Sequence, residues 1–145
     1  MQKATARGTR GTRSTRGTRI AHIGIAVDAL DRVLPFYRDL LGLPQEPLDD
    51  ADGARIAGLR AGDSLVELLE AKSPDSPVGK FITKRGPGLH HICFAVDDLT
   101  ATLDRCRRAG IKLIDDVPRR GADGKRIAFL HPSSTAGVLI ELTEQ

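Results

Sequence analysis

Two segments of the chain alternate apolar residues with small or polar ones. They are IAHIGIAV at positions 20–27 and LHHICFAV at positions 89–96. A period of two residues predicts a β-strand, because successive side chains point to opposite faces. In the first strand, one face would carry His22, Gly24 and Ala26, and the other face bulkier aliphatic residues. We expect the aliphatic face to meet a helix and the other face to leave room for a ligand.

Both strands are followed by apolar residues at helical spacing. The first predicted helix begins after Asp28, which is suited to be its N-cap, and ends near Leu41. Pro35 lies inside it and should kink the helix or mark a short turn at its start. The second predicted helix covers residues 98–109. The chain therefore repeats a strand and a helix in the same order.

Further strand-like segments follow each helix. They lie at 54–60 and 64–70 in the first half, after a loop or frayed strand at 44–53, and at 111–117, 125–130 and 137–143 in the second half. Residues 71–88 are rich in proline and glycine and predict a long connection between the two halves. The pattern predicts an α+β fold of two tandem βαβββ modules, at about 20–70 and 89–143, whose sheet curls around a cleft.

The two halves also have similar amino-acid sequences. HIGIAVDAL at 22–30 and HICFAVDDL at 91–99 agree at six of nine positions, and LVEL at 65–68 is echoed by LIEL at 139–142. The repeat pairs one histidine and one glutamate in each half, and the four residues are His22, Glu67, His91 and Glu141. A duplicated unit brings matching positions together around its own axis. Neutral imidazoles and carboxylates are suitable ligands for a divalent transition metal, so we predict a metal site.

The second strand contains two adjacent histidines. Strand alternation would turn His90 and His91 to opposite faces, so only one of them could be a ligand. The repeat selects His91, because it matches His22. A single histidine in a strand is more often a hydrogen-bonded structural residue, and it is the occurrence of two matched pairs that favours a metal site.

Composition limits the other functional classes. The whole chain of 145 residues has a net charge of +3. Residues 1–19 carry six basic and no acidic side chains, so residues 20–145 have three more acidic than basic side chains. We expect 1–19 to be a disordered, Arg-rich tail and 20–145 to be one domain, with nucleic-acid binding disfavoured. No apolar run approaches the roughly 18 residues of a membrane span, and no signal peptide is expected. Two cysteines without metal-type spacing favour a reducing, cytoplasmic location.

Several segments together resemble a known family. They are HIGIAV, FYRDLLGL, VELLE, GLHHICFAVDDL, RIAFLHP and GVLIELTE, spread over about residues 20–145. The pattern resembles the vicinal oxygen chelate superfamily and, within it, the methylmalonyl-CoA epimerases. The resemblance implies a cup-shaped mixed sheet and a homodimer. It also implies an acyl-CoA thioester substrate and a divalent ion, with Co²⁺ first and Mn²⁺, Zn²⁺ or Ni²⁺ as alternatives. His22, Glu67, His91 and Glu141 fall on the family's metal-binding positions.

The implied reaction interconverts (2R)- and (2S)-methylmalonyl-CoA through an enolate, with a base on one face of C2 and an acid on the other. Glu141 is the predicted catalytic residue as well as a metal ligand. Some family members carry a second carboxylate where this chain has Ile56, which leaves Asp49, Asp50 and Asp52 as candidates for the second acid or base. A basic residue of the family is also replaced, by Ser133. The basic residues that could meet CoA phosphates are Arg119, Arg120, Lys125 and Arg126.

Three other functions remain open on the same scaffold. A glyoxalase I-type lyase would use the same types of ligand with a glutathione hemithioacetal. An extradiol dioxygenase would use two histidines and one carboxylate around Fe²⁺, normally in a longer chain. A metal-free small-molecule binding or resistance protein is the alternative outside the enzymes. Such members typically lose the ligand set, whereas this chain keeps all four positions.

Overall fold

The computed structural model describes residues 17–145, which form one curled, eight-stranded mixed sheet with helices beside it. The strands in chain order are β1 (Arg19–Val27), β2 (Gln45–Glu46), β3 (Ala54–Ala61), β4 (Ser64–Ala71), β5 (Gly88–Val96), β6 (Arg119–Arg120), β7 (Arg126–Leu130) and β8 (Ile140–Glu144). The helices are α1 (Leu30–Leu34), which continues as a π-helical segment (Pro35–Leu40), α2 (Pro77–Arg85) and α3 (Leu99–Arg108), with a 3₁₀ turn at Pro132–Ser134.

The strand order across the sheet is β2-β3-β4-β1-β5-β8-β7-β6. Each half of the chain supplies one side of it, and the two sides meet where β1 pairs antiparallel with β5. In each half the first strand also pairs in parallel with the last strand of the same half, β1 with β4 and β5 with β8. The predicted pair of βαβββ modules and the α+β class are therefore confirmed.

The seam between β1 and β5 contains two β-bulges. The pairing passes from Ile20 to His22 without a partner for Ala21, and from His91 to Leu89 without a partner for His90. Ala21 and His90 occupy the same position in the two copies of the repeat. Bulges leave one residue unpaired and re-aim the side chains beside it. Each bulge here comes directly before one of the two repeated histidines.

The first helical segment differs in detail from the prediction. Its N-cap is Ala29, not Asp28, and no side chain caps it. At Pro35 the helix widens into π geometry, in which the Leu41 amide donates to the Phe36 carbonyl at 2.9 Å. A proline has no amide hydrogen to donate, so the helical hydrogen-bond pattern changes where it enters. Leu30 and Val33 pack against Val27 and other residues of the sheet, as the alternation of β1 predicted.

The segment at 71–88 connects the two halves as predicted, and it contains a helix that the sequence analysis did not predict. This helix is α2, whose N-cap Ser76 accepts a hydrogen bond from the Gly79 amide at 3.1 Å. Val78 is buried and packs with Ala26 and Leu69, which brings this helix against the first half of the sheet.

The prediction of a strand at 111–117 is wrong. Only one isolated bridge forms there, between Leu113 and Leu130. The Asp115 carboxylate accepts a hydrogen bond from the Phe129 amide at 2.9 Å, which takes the place of a backbone acceptor, and the chain leaves the sheet. The predicted helix before it is present as α3, with Leu99 and Leu103 buried against the second half.

The Arg-rich tail predicted for 1–19 lies outside the described residues except for its last three. Of these, Arg19 already belongs to β1 and pairs with Ala95. Among residues 17–145, no helix is long and apolar enough to cross a membrane.

Candidate metal centre

Two rows of paired residues cross the central strands and bring the predicted ligands together. In one row, His22 of β1 pairs with Cys93 of β5, which in turn pairs with Glu141 of β8. Each row combines residues of both halves, because the seam between β1 and β5 runs through it. The histidine of the first half therefore lies beside the glutamate of the second half.

The other row contains Glu67 of β4, Gly24 of β1 and His91 of β5. Gly24 occupies the central place that Cys93 has in the first row. A Cβ atom at Gly24 would stand less than 3.0 Å from three atoms of the His91 imidazole ring. The ring of His91 thus lies directly over the backbone of β1, in space that any side chain at position 24 would fill.

The four side chains meet at one point. The Nε2 atoms of His22 and His91 are 3.0 Å apart, and each is 3.0 Å from Oε2 of Glu141. Oε2 of Glu67 lies 3.2 Å from Nε2 of His22. All four residues are buried, between 4% and 8% exposed. The structure therefore brings together the whole set that the repeat predicted.

The electrostatics differ between the two glutamates. Burial would raise the pKa of Glu141, but hydrogen bonds from His22 and His91 outweigh it and lower that pKa to about 2. Burial raises the pKa of Glu67, and the nearby His22 only partly opposes this. For His22, burial acts to lower the pKa, but the hydrogen bond to Glu141 prevails and raises it. Glu141 is thus the carboxylate most firmly held in its ionised form.

The donor set fits a divalent transition metal. The two Nε2 atoms and Oε2 of Glu141 are all 3.0 Å from one another, and hydrogen bonds cannot account for all three contacts. If both Nε2 atoms donated a hydrogen to Oε2, neither would have a lone pair with which to accept a hydrogen bond from the other. A cation satisfies them together. Ligand atoms about 2.1 Å from a shared ion stand about 3.0 Å apart when they subtend a right angle, which matches the observed 3.0 Å spacings.

The predicted opposite orientation of His90 and His91 was wrong. Both line the same cavity, and their Nδ1 atoms are 2.9 Å apart. The bulge at His90 removes the regular alternation on which the prediction depended. Burial and the neighbouring His91 lower the pKa of His90 to about 4, so its imidazole is neutral near pH 7.

The metal centre opens into a cavity of about 170 Å³ with largely apolar walls. Its apolar lining includes Ile56, Leu69, Val78, Ile127 and Phe129. The carboxylate positions predicted as a second acid or base separate here, because Asp52 lines the cavity whereas Asp49 and Asp50 are not among its lining residues. Asp50 instead forms an ion pair with Lys72 at 2.8 Å.

Two other groups beside the site were missed by the sequence reasoning. Asp123, in the loop between β6 and β7, also lines the cavity. The sulfur of Cys93 comes within 4.8 Å of ligand atoms of His22 and Glu141, and burial raises the pKa of this thiol. The matching position in the first half, Gly24, has no sulfur, so the repeat could not indicate Cys93.

The basic residues proposed for CoA phosphates have different surroundings. Arg119 lines the cavity and pairs with Asp52 at 2.6 Å, and its guanidinium lies 5.4 Å from the centre of the Phe129 ring. Arg126 pairs with Glu144. Arg120 and Lys125 are exposed. Ser133, at the position of the family's basic residue, lies in the 3₁₀ turn, where its amide donates to Nδ1 of His131 at 3.0 Å.

Comparison with known proteins agrees with this geometry. The chain belongs to the Glyoxalase/Bleomycin resistance protein/Dioxygenase superfamily, whose family model matches residues 21–129. It is 43% identical over 126 residues to the uncharacterized protein YqjC of Bacillus subtilis, which covers 85% of this chain and 89% of YqjC. It is 35% identical over 127 residues to the mitochondrial methylmalonyl-CoA epimerase of Mus musculus, which covers 85% of this chain and 71% of the mouse protein.

A solved structure extends the comparison to the fold. A methylmalonyl-CoA epimerase in complex with methylmalonyl-CoA and NH₄⁺ superposes with a TM-score of 0.84 at 41% identity, over 88% of this chain and 94% of that one. Within the superfamily, the chain therefore groups with the methylmalonyl-CoA epimerases, and the resemblance predicted from its segments is confirmed.

Proposed function

We propose that this protein is a metal-dependent epimerase that interconverts (2R)- and (2S)-methylmalonyl-CoA through an enolate. The observation that carries the proposal is the convergence of His22, Glu67, His91 and Glu141 at a cavity, in a chain that groups with these epimerases. The similarity to a structure that contains methylmalonyl-CoA supports the substrate class. Retention of all four residues disfavours a metal-free binding protein.

The four residues would hold one divalent ion, with Co²⁺ first and Mn²⁺, Zn²⁺ or Ni²⁺ as alternatives. When bound, such an ion supplies positive charge where negative charge develops on the thioester oxygen. The cavity walls provided by Ile56, Leu69 and Phe129 are apolar and would exclude water from this region when a substrate fills the cavity. Exclusion of water strengthens the electrostatic interactions there and protects the enolate from unselective protonation.

Glu141 is the residue that we propose to move a proton at C2. Its Oε2 atom faces both imidazoles, which leaves Oε1 to take the proton from carbon. A carboxylate beside a bound cation is ionised, so Oε1 would have a lone pair free to accept the proton. A base must lie within hydrogen-bond reach of the proton that it removes, and Glu141 would meet this requirement if the thioester lay in the cavity beside the four residues.

Inversion needs a second group on the opposite face of C2. Of the three aspartates predicted for this role, Asp52 is the one that lines the cavity, and Asp123 lines it as well. We propose Asp52 first, because Arg119 holds it in a defined position at 2.6 Å. Replacement of the base on one face should stop deuterium uptake from one stereoisomer of the substrate more than from the other, so Asp52→Asn and Asp123→Asn can be compared directly.

The decisive experiment follows exchange of the C2 proton of each stereoisomer in deuterated water, with and without a chelator. We expect metal-dependent deuterium incorporation into both isomers. Metal-loaded protein that exchanges neither isomer but converts the hemithioacetal of glutathione and methylglyoxal would make this a glyoxalase-type lyase. Protein with neither activity that binds small apolar molecules without metal would be a binding protein.

We also propose that the protein is a homodimer. The π-helical segment exposes Phe36 and Leu40, and Leu41 follows it, with exposed fractions of 49%, 79% and 53%. An apolar surface of this kind is typical of an interaction site. Light scattering coupled to size-exclusion chromatography should give twice the chain mass of 15.6 kDa. A monomer mass at micromolar concentration would contradict the dimer.

The proposed location is the cytoplasm. Its support is that both cysteines, Cys93 and Cys106, are free thiols, which agrees with a reducing compartment. Fractionation of the source cells, followed by immunodetection, would test the assignment.

A further inference from the structure

His90 is the bulged residue of β5 and lies beside the candidate metal centre without being one of its four ligands. Its Nδ1 atom is 2.9 Å from Nδ1 of His91. The other side of the His90 ring meets Phe81 of α2 edge to face, with the ring centres 4.9 Å apart. The bulge thus places a second imidazole where regular strand alternation would have turned it away from the cavity.

The proton positions on these rings follow from the role of His91. Its Nε2 atom faces the Nε2 atom of His22 and Oε2 of Glu141, so this nitrogen must present a lone pair if it is to bind a metal. The hydrogen of a neutral imidazole then resides on Nδ1. A hydrogen bond between the two Nδ1 atoms requires that Nδ1 of His91 donates and Nδ1 of His90 accepts.

We propose that His90 is a positioning residue for the metal centre, and that its Nδ1 accepts the Nδ1–H of His91 to fix the ring orientation and tautomer of that ligand. The inference rests on the metal site of the proposed function and adds a residue to it. Metal-binding histidines generally donate their second nitrogen to such a partner, and loss of the partner costs about 10- to 100-fold in metal affinity.

The two halves of the repeat are not equivalent in this respect. The residue that matches His90 in the first half is Ala21, which also lies at a bulge but has no ring nitrogen to offer. The proposed support is therefore specific to His91. His90→Ala would make the second half equal to the first at this position.

The test compares three variants of the full-length protein by competition for Zn²⁺ with a chromophoric chelator. His90→Leu removes the acceptor, whereas His90→Asn places an amide oxygen close to the position of Nδ1. Phe81→Leu is the matched control, because it disturbs the ring contact and keeps the hydrogen bond. We expect a weakening of about 10- to 100-fold for His90→Leu and affinities within about threefold of wild type for the other two.

A spectroscopic measurement separates positioning from packing. In zinc-loaded wild-type protein, ¹⁵N chemical shifts should show His91 protonated at Nδ1, with a hydrogen bond to Nδ1 of His90. Equal affinities of wild type and His90→Leu would overturn the proposal, as would equal loss in His90→Leu and His90→Asn. If His90→Leu does not fold, His90→Ala takes its place. Wild-type protein that binds no metal would instead refute the metal site itself.

Discussion

Gly24 links the backbone of β1 to the orientation of a metal ligand on β5. Its missing side chain makes the space in which the His91 ring lies, so the sequence at one strand determines the position of a functional group on the next. Polar residues alone therefore do not define the site. The site also requires Gly24, which lies between Glu67 and His91 in the sheet.

We predict that Gly24→Ala weakens metal binding and destabilises the metal-free protein by about 1–3 kcal/mol, because the new methyl group would displace the His91 ring or the strand. Urea unfolding and metal competition measure the two effects. Gly17→Ala is the control, since a Cβ atom there has no neighbour within 4 Å. Equal behaviour of the two variants would show that the ring adapts without cost.

The two glutamates should respond differently to loss of charge. Glu141→Gln is expected to lower kcat by about 10²- to 10⁴-fold with a smaller change in KM, because it removes the proposed base. Metal content of the purified variant must be measured first, since Glu141 is also a proposed ligand. Glu67→Gln is the control and should retain more activity, because Glu67 is not the proposed base and an amide oxygen can still act as a metal ligand. A greater loss of kcat in Glu67→Gln would reverse the assignment of the base.

At the residue scale, the four candidate metal ligands were predicted from the repeat, whereas Asp52 and Arg119 were named from the family resemblance and also line the cavity. His22, Glu67, His91 and Glu141 were found because each has a counterpart in the other half. His90 was assigned to the wrong face because a bulge depends on pairing between strands, which a single strand does not reveal. Cys93 was missed because its counterpart in the first half is Gly24, which has no side chain to bind a metal. Asp123 does have a counterpart, because ADG at 51–53 is repeated at 122–124 and pairs it with Asp52, but this part of the repeat was not used.

Among the elements, α2 was not predicted because the residues at its N-terminus are also typical of loops. Pro74, Pro77 and Gly79 indicate a loop when they are counted together. Read by position, Ser76 is an N-cap and Pro77 the first helical residue, a place where proline is favoured because its missing amide hydrogen is not needed. Lys84 and Arg85 in the last turn complete the pattern of a helix.

We predict that Ser76→Ala lowers the free energy of unfolding by about 1 kcal/mol, because the Gly79 amide loses its acceptor and the start of α2 frays. Chemical denaturation of the metal-free protein measures this loss. Ser73→Ala is the matched control, since Ser73 contributes its backbone carbonyl, which the substitution keeps, to the hydrogen bond with Ser76. Equal stability of Ser76→Ala and wild type would mean that the cap is dispensable.

The segment at 111–117 failed as a predicted strand for a related reason. Its apolar residues favour a strand, but the Asp115 side chain competes for the Phe129 amide and ends the pairing after one bridge. The competition arises between residues 14 positions apart. No local pattern could indicate it.

For the whole molecule, the arrangement of strands followed from the duplication more reliably than any single boundary. Two copies of one module that share a seam impose the symmetric order of the sheet, whatever the length of each strand. The burial of four ionisable residues at that seam has a thermodynamic consequence. Polar groups that are buried without full pairing destabilise a fold, and an ion that binds only the folded state stabilises it.

Addition of Co²⁺ or Zn²⁺ to metal-free protein is therefore expected to raise Tm in a concentration-dependent way, and excess chelator should reverse the increase. A hundredfold excess of free metal over Kd corresponds to about 2.7 kcal/mol. Calorimetry of wild type and His22→Ala provides the comparison. A similar increase in both proteins would show that the ion binds elsewhere.

Removal of residues 1–16 should leave Tm and turnover unchanged, since we propose that the domain begins where β1 does. The cut keeps the carbonyl of Gly17, which accepts a hydrogen bond from Nε2 of Gln145 at 3.0 Å. Circular dichroism melting and the deuterium-exchange assay test this. A large loss of either quantity would assign the tail a role in folding or catalysis.

The seam between β1 and β5 also bears on the origin of the molecule. Each half supplies one histidine and one glutamate, but the rows that unite them run across the seam, so neither half alone holds a complete set. A single ancestral module could build the whole centre simply by associating with an identical copy through its first strand. Gene fusion would then have joined two such copies, and Gly24 and Cys93, at matching positions, would record how far the copies have diverged since.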